Sequence, residues 1–160
     1  MTPELKRRLI AAGIAAAVPL TMSAEGLVRR VYLDPVGIPT FCFGETRAPQ
    51  AGRNYTEAEC SELLGNRLLE IHAGISRCVR VERPEHERAA HASFAYNVGV
   101  GAFCRSSLVR KLNAGDHAGA CAEMSRWVYA TKLGVPIKLP GLVKRRAEER
   151  ALCEGRGVPA

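Results

Sequence analysis

Apolar residues recur along the chain with two different periods, and the switch between them predicts its elements. Leu64, Leu68, Ile71 and Ile75 fall at i, i+4, i+7 and i+11 behind Thr56-Glu57-Ala58-Glu59, a capping box. They predict a long amphipathic helix from Glu57 to about Ser76. Ahead of it, Arg30 to Leu33 and Thr40 to Phe43 are short runs with β-branched and aromatic residues. The DPVGIP between them carries the prolines and glycine of a turn, so a hairpin is expected. From Val18 or Pro19 to Glu25 the pattern is helical, with Gly26 just past the end, where a left-handed residue is wanted. Beyond the long helix, Pro84 opens a helix that stops at Gly99. Ser106 and Asp116 cap two shorter ones, the first holding Leu108 and Leu112, the second Cys121, Met124 and Trp127. Leu133 to Pro140, with two prolines, reads as a loop, as does polar Arg47 to Asn54. Leu142 to Glu154 is a final basic helix stopped by Gly155. The expected class is α+β, mostly helical, with one small antiparallel hairpin near the start and the long helix bridging a hairpin lobe to a helical lobe.

The first 24 residues read differently. Lys6-Arg7-Arg8 precedes Leu9 to Ala24, 16 residues without a charge and rich in alanine. Charge followed by an apolar run is the order of an export signal. Sixteen helical residues span only about 24 Å against ~30 Å of hydrocarbon, and Gly13, Pro19 and Thr21 weaken the run further. Three readings stand open: a cleaved signal, a weak uncleaved anchor, or the first amphipathic helix of the folded domain. The chain is divided accordingly into residues 1–24, a signal-anchor-like segment, and residues 25–160, one folded domain.

Composition narrows the class without naming a chemistry. With 160 residues, 47% hydrophobic and 24% charged, the chain has the make-up of one ordinary globular domain. A net charge of +7 suits a polyanionic partner such as nucleic acid, anionic lipid or bacterial cell wall, and does not choose among them. The six cysteines show no CxxC and no zinc spacing, so a metal site is not expected. Their even count at long intervals reads as three disulfides in an oxidising compartment, with 15 possible connectivities, or as reduced core cysteines. No dinucleotide or P-loop motif and no HExxH occurs, so no cofactor is expected, and nothing marks a nucleic-acid reader.

One stretch, Glu25 to Thr46, carries candidate chemistry: Glu25, Asp34 nine residues on, Thr40 six further. Glycoside hydrolysis needs a protonated acid beside the leaving oxygen and a second carboxylate that positions water or stabilises positive charge on the sugar carbon. Glu25, at the negative end of a helix with Leu20, Met22 and Leu27 for apolar cover, is expected to be the acid. Asp34, in a polar turn near Arg29 and Arg30, is expected to stay ionised, and the Thr40 hydroxyl to hold the water. With two aspartates and six threonines in the chain, this spacing is expected by chance ~0.007 times.

The words around these residues, EGLVRRVYLDPVGIPT followed by GET, resemble the phage-type lysozymes of glycoside hydrolase family 24. FAYNVGVGAF (Phe94 to Phe103), SSLVRKLNAGD (Ser106 to Asp116), RWVYA (Arg126 to Ala130) and GLVKRRAEERALC (Gly141 to Cys153) extend the likeness almost to the end. The resemblance implies a two-lobed fold with the cleft between lobes and hydrolysis of the β-1,4 bond between N-acetylmuramic acid and N-acetylglucosamine in peptidoglycan, by a monomer. By position it makes Glu25 the proton donor, Asp34 the second carboxylate and Thr40 its partner. Relatives often carry histidine where this chain has Glu45, a third acid expected to bear on the pH profile. The segment Leu9 to Ala24 is similar to the anchors of signal-arrest-release endolysins, which implies export, transient inner-membrane association through residues 9–24, and then the periplasm. Pairing of Cys42 with Cys60, Cys78 with Cys104 and Cys121 with Cys153 is the expected connectivity. The reading from another class is a cationic membrane-active protein that cleaves nothing.

Overall fold

The computed structural model describes residues 1–34, 37–132 and 134–157. The chain runs α1 (Pro3–Ala11), α2 (Ala17–Glu25), β1 (Val28–Leu33), β2 (Pro39–Cys42), α3 (Glu57–Ile75), α4 (Glu85–Val98), α5 (Val100–Cys104), α6 (Ser107–Asn113) and α7 (His117–Glu123). A 3-10 turn (Met124–Arg126), β3 (Tyr129–Lys132), β4 (Val135–Lys138) and α8 (Pro140–Cys153) complete it. The helix starts lie where capping chemistry sets them. Thr56 accepts from the Glu59 amide while Glu59 reaches back to Thr56, and the side chains of Ser106 and Asp116 accept from the amides of Val109 and Gly119.

Two bodies of different character follow. α4 packs against α8, α3 and α2, and α2 also touches α8, so the N-terminal segment is part of the helical body. β1 and β2 form an antiparallel ribbon, with Tyr32 opposite Thr40 and Leu33 opposite Pro39. The ribbon is backed by the loop that ends at Tyr55, whose amide donates to the Arg29 carbonyl and whose ring stacks on Phe41 at 4.4 Å. α3 runs from this ribbon into the helical body and buries Leu64, Leu68, Ile71 and Ile75 as its period requires. Of the predicted turn, Pro35 and Val36 lie outside the described residues, as do Leu133 and the last three residues.

Several expectations need correction. Leu9 to Ala24 is not one helix: it breaks at Gly13 (φ +66°), and Leu5, Leu9, Ile14, Ala17, Val18 and Leu20 are buried in the core. Among the described residues no helix is long and apolar enough to cross a membrane. The chain from Val135 to Lys138 is not loop but β4, paired with β3 in register Tyr129 to Lys138, so a second hairpin precedes the last helix. Of the two prolines that suggested a loop, Pro136 sits in an exposed two-stranded ribbon, where its missing N–H is tolerated, and Pro140 opens α8. α7 stops at Glu123, Trp127 closes the 3-10 turn instead of lying on a helix, GVGAF forms the short α5, and α8 starts at Pro140, its first turn. The cysteines pair as expected, Cys42–Cys60, Cys78–Cys104 and Cys121–Cys153. Closing loops of 18, 26 and 32 residues stabilises by about 3–4 kcal/mol each in the chain-entropy account.

His91 is fully buried on α4, 3.3 Å from the Arg83 guanidinium at Nδ1 and 3.8 Å from the Cys153 sulfur at Nε2. Desolvation, then the charges of Arg83 and His117, push it down to about 3 from 6.5. The folded state therefore holds the neutral ring and binds fewer protons than the unfolded chain between pH 6.5 and 3. This contribution is complete above pH 6.5 and is lost as pH falls through that window. Urea unfolding at pH 6 and pH 4 is expected to show a loss on the order of 2 kcal/mol from this residue. His91→Gln should flatten that part of the pH dependence, and parallel curves for the two proteins would contradict the assignment.

Candidate active site

Glu25 is the last residue of α2, and Gly26 leaves the helix at φ +70° with its amide on the Met22 carbonyl. The side chain is 22% exposed, and its nearest partner is not the apolar cover expected from sequence. Arg145 of α8 donates from Nη1 to Glu25 Oε1 at 2.5 Å. Of the three residues expected to shield the acid, Leu20 is buried in the core and Leu27 is exposed. The other carboxyl oxygen, Oε2, faces Gly44, where a Cβ would stand 3.4 Å away. Gly44 (φ +82°) thus serves both the turn after β2 and the space in front of the acid.

Asp34 and Thr40 are both bonded to the backbone of one residue, Ile38. Asp34 Oδ1 accepts from the Ile38 amide at 2.8 Å, and the Thr40 hydroxyl donates to the Ile38 carbonyl at 3.0 Å. Thr40 is buried at the start of the return strand, and its proton is committed to that carbonyl, so its lone pairs remain to accept. Arg29, expected beside Asp34, instead donates to the Tyr55 carbonyl at 2.7 Å. The acid therefore comes from the helical body and the Asp34–Thr40 pair from the ribbon.

Behind Glu25 lies a buried ion cluster that the sequence reading missed. Arg145 also donates to Glu149 at 3.0 Å and to the Ser93 carbonyl, while Ser93 Oγ donates to Glu149 at 3.0 Å. Arg146 stands 3.2 Å from the other Glu149 oxygen, donates to Asn97 Oδ1 at 2.7 Å and covers the Phe94 ring at 4.7 Å. Burial opposes charge on Arg145, but Glu149 and Glu25 outweigh it and raise its pKa. Desolvation, against the pull of Glu149, brings Arg146 down to about 10, and desolvation raises Glu149 against the pull of both arginines. We take Glu149 as a carboxylate clamped between two guanidiniums, since both stay protonated at neutral pH. The missed signal was periodic: Leu142, Arg145, Arg146, Glu149, Leu152 and Cys153 share one face of α8, so the charged residues lie on a core stripe.

Glu45 is buried and occupied by its own turn. Its Oε1 accepts from the Thr46 and Arg47 amides at 2.9 Å each, and the Arg47 side chain, which also reaches Glu70 at 2.9 Å, covers the rest. Desolvation raises its pKa, but the hydrogen bonds from Arg47 and Thr46 prevail and hold it below the ordinary value. Tyr96 donates to the Phe43 carbonyl at 2.6 Å, tying α4 to the base of the ribbon, and burial, then Glu25 and Glu45, push its hydroxyl up. Among the described residues no three His, Cys, Asp or Glu side chains cluster as a metal site.

Comparison with known proteins shows the family. The family model "Phage lysozyme" matches residues 22–149. A SAR-endolysin of Bacteriophage PS119 is 38% identical, covering 96% of this chain and 96% of its own, and one of Escherichia phage Mu is 41% identical over 84% of this chain and 76% of its own. Among solved structures, the muramidase domain of SpmX from Asticaccaulis excentricus superposes with a TM-score of 0.82 at 30% identity, covering 86% of this chain and 94% of that one. The chain belongs to the phage lysozyme family and is a peptidoglycan hydrolase of the lysozyme type.

Proposed function

We propose that this endolysin cleaves the β-1,4 bond between N-acetylmuramic acid and N-acetylglucosamine with Glu25 as general acid, Asp34 as second carboxylate and Thr40 holding water. What carries the reading is that each carboxyl is fixed by its own partner, Glu25 by Arg145 and Asp34 by the amide of Ile38, the residue whose carbonyl also holds Thr40. With Oε1 engaged by Arg145, the transferable proton sits on Oε2, the oxygen that faces Gly44. It passes to the leaving glycosidic oxygen while Asp34 stabilises positive charge at the sugar carbon or activates the water whose hydrogen Thr40 accepts. Arg145 is a positioning residue: it fixes the carboxyl's rotation without touching the sugar.

The second part of the proposal is export. Residues 9–24 first lie in the inner membrane and later fold onto the helical body, with release into the periplasm, where the protein works as a monomer. The support is the likeness to proteins named SAR-endolysins and the uncharged run behind Lys6-Arg7-Arg8. The residues that would occupy the bilayer include the end of α1 and nearly all of α2, and α2 ends at Glu25. A membrane-held segment thus keeps the acid away from Asp34 and Thr40.

On chloroform-permeabilised Gram-negative cells, Glu25→Gln is expected to abolish clearing, and clearing at the wild-type rate would remove Glu25 from the role. Arg145→Lys keeps the charge but loses the fork, so kcat should fall about 10–100-fold with KM nearly unchanged. Arg145→Gln, which also leaves Glu149 half-paired, should cost about 3 kcal/mol of stability besides. Equal kcat in Arg145→Lys and wild type would rule out positioning. For export, fractionation of expressing cells should find uncleaved protein first in the membrane and later in the periplasm. Protein confined to the cytosol at all times would refute it.

A further inference from the structure

The loop between α3 and α4 encloses a second polar pocket that glycan hydrolysis does not use. It has a volume of about 250 Å³ and is lined by His72 and Ser76 from the end of α3, by Glu82 and Arg83, and by Arg88 from the first turns of α4. Arg83 is buried to all but 8%. Among the described residues neither guanidinium lies within ion-pairing distance of a carboxylate. Glu87, the nearby buried acid, is taken by His117 at 2.8 Å, and Glu82 is exposed. Two nitrogens here are orphaned: Arg88 Nε and His72 Nδ1 are buried without a hydrogen-bond partner. A buried guanidinium facing a second one, beside unpaired polar nitrogens, is costly unless an anion completes it.

We propose that this pocket binds a phosphate-class oxyanion through Arg83, Arg88 and His72. Planar guanidiniums match a tetrahedral oxyanion two bonds at a time, a neutral histidine donates one more, and Ser76 can donate a further one at the rim. The uncompensated charge is already felt by the residues present: desolvation, then Arg83 and Arg88, lower the pKa of His72, and desolvation, then Arg88, lowers that of Arg83. Glu82 at the rim opposes a bound anion, and its exposure leaves it screened by solvent. The site also meets the N-terminal segment. The Arg88 guanidinium lies under the turn between α1 and α2, so close that a Cβ on Gly13 would stand 2.6 Å from its Nη2. An anion that fixes Arg88 therefore fixes the surface on which that turn rests. The source of the oxyanion is either free phosphate or a phospholipid headgroup.

The test is thermal unfolding of the full chain in phosphate against chloride at matched ionic strength. Wild type is expected to gain about 3–6 °C at saturating phosphate, and Arg88→Gln less than about 1 °C over its own chloride value. Superimposed phosphate and chloride curves for wild type, or an undiminished increment in Arg88→Gln, would overturn the site. Should Arg88→Gln not fold, Arg88→Lys retains charge, and its half-saturating phosphate concentration should rise about tenfold through loss of the fork. An unchanged midpoint would be equally fatal. Flotation with phosphatidylglycerol and phosphatidylcholine vesicles then separates the sources. Phosphatidylglycerol binding that Arg88→Gln abolishes assigns a headgroup, and vesicle binding indifferent to the substitution, with the phosphate increment present in wild type and lost in Arg88→Gln, assigns the free anion.

Discussion

The buried cluster of Arg145, Glu149 and Arg146 is the constraint on which the site depends. Three charges sit where solvent cannot screen them, and they depend on α4 and α8 keeping their mutual position, because Ser93 and Asn97 supply hydrogen bonds from α4 while Arg146 Nε, Arg146 Nη1 and Glu149 Oε2 have no hydrogen-bond partner among the described residues. Replacing such a cluster with well-packed apolar side chains often leaves stability unchanged or raises it, so stability alone does not explain its presence. Its geometry has another use. Arg145 has one group of donors inside the cluster and one outside, and the outer one meets Glu25. The rigidity of a core is passed on to a half-exposed carboxyl by a single planar side chain.

The ribbon solves the same problem with less. Asp34 and Thr40 are short side chains that bond to backbone two to four residues away, so their placement is local and needs no distant partner. One half of the site is thus encoded within seven residues, and the other needs a helix 120 residues farther along the chain.

That difference explains what could be read from sequence. Helix starts at Thr56, Ser106 and Asp116 were legible because capping is a contact between neighbours, and the position of Glu25 at a helix end followed from Gly26. The environment of Glu25 was not, because Arg145 looks like one more basic residue in a solvated helix until the stripe from Leu142 to Cys153 is traced as a core face. The same blindness applied to Arg83 and His72, whose spacing says nothing of a shared pocket. β3 and β4 were hidden by proline chemistry that an exposed ribbon tolerates. The segment from Leu9 to Ala24 was ambiguous for a physical reason: a weakly apolar, uncharged run can be buried against a protein core or lie at a lipid boundary, and it is the core that covers Leu9, Ile14, Ala17 and Leu20.

The three disulfides begin at Cys42. Every covalent loop in the molecule therefore lies downstream of β1, and the first 41 residues, which include both N-terminal helices and Glu25, are topologically an open tail. The rest of the chain is fastened to itself, with β2 stapled to the first turn of α3. Such a tail can thread away from the body and return without breaking a sulfur–sulfur bond, because what seats it is non-covalent: core packing, strand pairing, and polar contacts such as Thr2 with Glu62 and Glu25 with Arg145.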